Sequence, residues 1–112
     1  MISPADERAA AVMEAVRKDH PDLPIYDQYD RALLLVASSL ASVQRRIARL
    51  RLTGSPEVVA LAVEEQILLC AHQRLQQLRR LYIDRLREEM GPDPIFWALL
   101  RTPTVDVPRK AG

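Results

Sequence analysis

Seven apolar positions, Tyr29, Leu33, Val36, Leu40, Val43, Ile47 and Leu50, recur at alternating spacings of four and three residues. A helix carrying that pattern gathers all seven side chains into one stripe, and the stripe calls for a second helix packed along it in coiled-coil fashion. The sequence that follows supplies the partner. In Thr53-Gly54-Ser55-Pro56-Glu57, Gly54 suits a left-handed C-cap, Ser55 the next N-cap and Pro56 the first helical position. So short a connection turns the next helix back antiparallel to the first. The pattern predicts helices over about 25–52 and 56–90, the second with Leu61, Leu68, Ala71, Leu75, Leu78, Tyr82 and Leu86 along its seam. Gly91-Pro92 ends it.

Two shorter helices flank this hairpin. Ser3-Pro4 followed by Asp6 and Glu7 reads as a cap, a first-turn proline and first-turn acids, opening a helix over about 4–19 that His20-Pro21 closes. Asp93-Pro94 opens a short fourth helix over about 94–101, and 102–112 reads as a flexible tail. The expectation is one all-α domain over 1–101. With 112 residues there is length for one domain only.

A reversal at Gly54-Ser55 makes a test of its own, because residues whose numbers sum to about 109 then lie side by side. Arg45 and Arg46 fall opposite Glu64 and Glu65, Arg49 and Arg51 near Glu57, and Arg79 and Arg80 near Asp27 and Asp30. Ion pairs along both flanks of the hairpin are therefore expected.

Some apolar surface is left over. Val59, Val63, Ile67 and Cys70 form a second face on the long third helix, and Leu34, Ala37, Ala41, Ala48 and Leu52 lie off the seam of the second. A helix apolar on more than one side needs more than one neighbour. The first helix is about half the length of the hairpin, so the bundle is expected to be completed by a second copy as a homodimer.

Reactive constellations are not evident. Cys70 and His72 are two apart on a helix and point about 200° away from each other, so Cys70 reads as a buried structural cysteine. Asp19, His20, Asp22, Asp27 and Asp30 lack the helical spacing of a metal site. The glycines, Gly54, Gly91 and Gly112, form no phosphate-binding loop, and Ser38, Ser39 and Ser42 read as small residues that let helices approach, each hydroxyl bonded back to its own helix. No catalytic residue, cofactor or metal is expected, and an enzyme is not the reading.

The totals agree. The chain is 48% hydrophobic and 28% charged, a globular balance, and its net charge of +1 gives no bulk pull on nucleic acid or membrane. A lone cysteine precludes an intrachain disulfide, residues 1–7 lack the basic start and apolar run of a secretory leader, and no run reaches membrane-spanning length. A cytoplasmic setting follows, and the preference for arginine over Lys18 and Lys110 suits a GC-rich bacterial genome.

The function expected is a protein-interaction module, an adaptor or regulator, that binds itself and a second, unidentified protein. Its interface is placed at Val59, Val63 and Ile67, with Phe96, Trp97 and Leu100 of the fourth helix as anchors. The alternative is a small nucleic-acid-binding regulator. From Arg31 to Pro56 there are five arginines and no acid, and Arg45, Arg46, Arg49, Arg51, Arg79 and Arg80 would then track phosphates.

Overall fold

A computed structural model describes residues 2–90, and these residues are helical throughout apart from caps and connections. Three helices follow in order: α1 (Pro4–Asp19), α2 (Ile25–Thr53) and α3 (Glu57–Met90). The chain divides into two compact units, residues 1–82 and 83–112, and the packing below belongs to the first. The expected helix over 94–101 and the tail after it lie outside the described residues.

The ends of the helices are set by local chemistry. The Ser3 hydroxyl accepts a hydrogen bond from the Asp6 amide at 3.1 Å, Pro4 opens the first turn and Asp6 and Glu7 lie against its positive end. The chain leaves α1 at His20, whose amide still donates to the Val16 carbonyl. At the other connection Gly54 takes φ 68°, ψ 25°, the left-handed conformation that a side chain resists. The Ser55 amide reaches back to the Leu50 carbonyl, and the Ser55 hydroxyl accepts from the Glu57 amide at 3.2 Å. Helix α3 begins at Glu57, one residue after the expected Pro56.

The contacts that cross between α2 and α3 run in opposite order along the two helices. Asp30 accepts from Arg79 at 2.8 Å and Gln44 donates to Glu65 at 3.1 Å, both pairs summing to 109, while Tyr29 and Tyr82 pack with ring centroids 6.1 Å apart. Every residue of the α2 stripe is turned inward: Val36 and Ile47 are buried, and Tyr29, Leu33, Leu40, Val43 and Leu50 are half-buried. On α3, Leu68, Ala71 and Leu75 are buried.

Helix α1 completes this core with Ala9, Met13 and Val16, which join Ala32, Val36, Leu68, Ala71 and Leu75 in one cluster. Small residues at Ala9, Ala32 and Ala71 let the three backbones approach, and the larger Val36 and Leu75 fill the space between them. Two ion pairs fasten α1 to α3, Arg8 with Glu64 and Asp6 with Arg74. Under the α1–α2 connection Gln28 is buried at 4% exposure, and its amide nitrogen donates to the Leu23 carbonyl at 3.0 Å. Its Oε1 has no hydrogen-bond partner.

Two expectations fail on the outer surface. Cys70 is half-buried, not buried, because it shares the Val59–Val63 side of α3, away from α2. Ser38, Ser39 and Ser42 are exposed, Ser38 and Ser42 on the side of α2 opposite its stripe and Ser39 at the stripe's edge, so they mediate no approach among α1, α2 and α3.

Leu75 has no exposed surface at the centre of the three-helix cluster. Leu75→Ala is expected to destabilise the fold by about 2–5 kcal/mol, read as a lower midpoint in urea denaturation. A midpoint unchanged from the parent would mean that the core is placed wrongly.

Candidate interaction surfaces

Two kinds of surface survive folding of the first unit: apolar side chains without cover, and arginines without acids. Toward Gly54 both follow from the limited reach of α1. Its 16 residues span about 24 Å, against about 43 Å for the 29 of α2. The buried cluster accordingly lies along 32–36 of α2 and 68–75 of α3, and toward Gly54 only Ile47 is buried among the described residues of α2.

The expected interface residues of α3 fall on one side of that helix. Val59 is 70% exposed and Val63 56%, with Ile67 and Cys70 half-buried beside them at helical spacing. Phe96, Trp97 and Leu100, expected as anchors, lie outside the described residues. On α2, Leu34 and Leu52 are 63% and 87% exposed. They flank Ala37, Ala41 and Ala48, and Leu34, Ala41 and Ala48 keep a strict seven-residue repeat of their own. Next to this second stripe a solvent-open groove of about 350 Å³ runs between α2 and α3, floored by Ala37, Ala41 and Leu69 and edged by His72, Gln73 and Gln76. The expectation for these helices named Leu34 and the alanines; Leu69, 39% exposed, was not anticipated, although it stands one position past the seam residue Leu68.

The charged flanks depart from the expected pairing. Arg79 does meet Asp30, and its guanidinium also donates to the Tyr26 hydroxyl and lies 4.4 Å from that ring. Glu64 and Glu65 do not receive Arg45 and Arg46. Glu64 is held by Arg8 of α1 in a two-pronged hydrogen bond, and Glu65 accepts from Gln44. Pairwise reckoning within α2 and α3 leaves out a third helix that competes for the same carboxylate. No ion pair among the described residues involves Arg45, Arg46, Arg49, Arg51 or Arg80. All five are exposed.

The α1–α3 clamp shifts both of its ionisable groups. The hydrogen bond from Arg8 holds the Glu64 carboxyl below the usual carboxylate range, and Glu64 raises Arg8 in return. The two side chains keep about a third of their surface in water, at 36% and 34%, so solvent screens the pair and its contribution is small.

Among the described residues no group of three or more His, Cys, Asp or Glu is placed to hold a metal ion, and no helix is long and apolar enough to cross a membrane. Compared with protein-family models, curated proteins and solved structures, the chain matches none.

Because folding depresses the pKa of Glu64, the clamp contributes fully above the unfolded carboxylate's pKa, about 4.3, and is lost as pH falls through the lower folded value. Glu64→Gln is expected to be slightly less stable than the parent at pH 7, with the gap in thermal midpoint closing below about pH 4. A gap that stayed constant down to pH 2 would show that ionised Glu64 adds nothing.

Proposed function

We propose that the protein is a non-enzymatic interaction module: an antiparallel helical hairpin, braced by α1, that associates with a second copy of itself and serves as an adaptor or regulator. The observation that carries this reading is the exposure of Val59 and Val63 on the side of α3 that α1 does not reach. Burying an aliphatic side chain of that size contributes about 1.5–3 kcal/mol. A twofold contact uses each residue twice.

The occupant is taken to be a second copy because α2 carries two stripes at heptad spacing. One is used within the chain. The other, Leu34, Ala41 and Ala48 with exposed Leu52 beyond them, is narrow enough for a further helix to approach closely, and the helices of this protein are themselves of that kind. A cytoplasmic setting belongs to the same reading, since the single cysteine, Cys70, is left as a thiol.

Sedimentation velocity at tens of micromolar tests the proposal. The parent is expected to sediment as a dimer, and Val59→Gln with Val63→Gln as a monomer of unchanged helicity, its association weakened at least about tenfold. A parent that sediments as a compact monomer across that range overturns it.

A further inference from the structure

We propose that the Gly54 end of α2 is a docking site for the phosphate backbone of double-stranded nucleic acid, carried by Arg45, Arg46 and Arg49. In the described structure most arginines facing another helix have found a carboxylate: Arg8 holds Glu64, Arg74 meets Asp6 and Arg79 meets Asp30. Arg45, Arg46, Arg49 and Arg51 have not, although the helix register brings Glu57, Glu64 and Glu65 near them. Glu64 is taken by Arg8 and Glu65 accepts from Gln44, and none of these guanidinium groups forms an ion pair among the described residues.

The charge is segregated. The chain's net charge is only +1, but α2 has no acid after Asp30. The carboxylates Asp19, Asp22, Asp27 and Asp30 gather about the α1–α2 connection, at the far end of α2. Along α2 itself the cations gather at the Gly54 end and the carboxylates at the other, an asymmetry that the total charge conceals.

Geometry suits a duplex. At 100° per residue, Arg45, Arg46 and Arg49 fall within one 100° arc, opposite buried Ile47, and Arg46 and Arg49 border a shallow hollow of about 260 Å³ with Leu50. From Arg45 to Arg49 the helix rises about 6 Å. A duplex presents one charge per about 1.7 Å of its axis, or about three to four over that distance, against three arginines. Single strands are recognised largely by stacking on aromatic rings. Tyr26, Tyr29 and Tyr82 are instead engaged with Arg79 or with each other, and the stretch from Arg45 to Leu52 holds no aromatic residue. Arg79, among the residues expected to track phosphates, is committed to Asp30 and Tyr26 and is not part of the site.

The site is built from residues of a single chain, with Arg45 beside the Ala41–Ala48 stripe. Fluorescence anisotropy of the full chain with a labelled 20-base-pair DNA of arbitrary sequence, titrated from 25 to 200 mM salt, tests it. Binding is expected to weaken with salt at a log–log slope of about −2.7 per chain, for three phosphate contacts. The slope is expected to shrink by about one for each of Arg45→Ala, Arg46→Ala and Arg49→Ala, with Lys18→Ala as the unchanged control. All of these positions are exposed, and circular dichroism confirms that each variant keeps its helices. Absence of salt-sensitive binding, a triple variant that binds like the parent, or tighter retention on phosphatidylserine vesicles than on the duplex at equal salt would each overturn the proposal.

Discussion

The aliphatic contact between α2 and α3 is the constraint from which the other features of the first unit follow. Val36, Leu68 and Leu75 meet at its centre, and the register they impose sets Asp30 against Arg79 and Gln44 against Glu65. Exposed polar pairs of that sort contribute about 0–1 kcal/mol each, whereas each buried aliphatic side chain contributes about 1.5–3 kcal/mol. The hydrophobic stripe therefore determines the alignment and the charges adapt to it. Gly54 fits the same logic. Its left-handed conformation lets the chain reverse between Leu50 and Val58, so both long helices begin or end beside each other in register.

Helix α1 acts on this frame in two ways. Its apolar side, Ala9, Met13 and Val16, closes the core over one stretch of α2 and α3 and leaves the rest with a single layer of neighbours. Its polar side redistributes charge, because Arg8 captures Glu64 and Asp6 captures Arg74. Both effects are exerted by one short helix. Among the residues that remain exposed, apolar Val59 and Val63 and cationic Arg45, Arg46, Arg49 and Arg51 lie in the stretches that flank Gly54.

Helical periodicity and end chemistry were legible in the amino-acid order to within a residue. The alternating stripe from Tyr29 to Leu50 is inward-facing at every position, and Ser3-Pro4, His20-Pro21 and Gly54-Ser55 bound the helices as their chemistry dictates. The register was legible as well, since Asp30–Arg79 and Gln44–Glu65 satisfy the same sum. What was not legible is competition. A two-helix count assigns Glu64 to Arg45 or Arg46, and nothing in α2 or α3 reveals that Arg8, 56 positions earlier, reaches it first. Gln28 was missed for a related reason. It precedes Tyr29 and lies off the stripe, so its burial arises from the α1–α2 connection passing over it. Cys70 was misjudged because apolar neighbours on the same helix face do not bury a residue unless another element covers that face.

Leaving Arg45 and Arg49 unpaired has an energetic consequence within the helix. They are one turn apart, and like charges at that spacing disfavour a helix by about 0.2–0.5 kcal/mol. Arg46 and Arg49, three apart, add a second repulsion of the same kind. Nothing in the packing requires arginine at these exposed positions, because Ile47 and Leu50 alone anchor this stretch of the stripe. The helix tolerates the repulsion through the adjoining hydrophobic contact, and any anion that neutralised the cluster would relieve it. Stability and unspent surface are thus separated along α2: the half beside α1 holds the core, and the half beside Gly54 holds the charge.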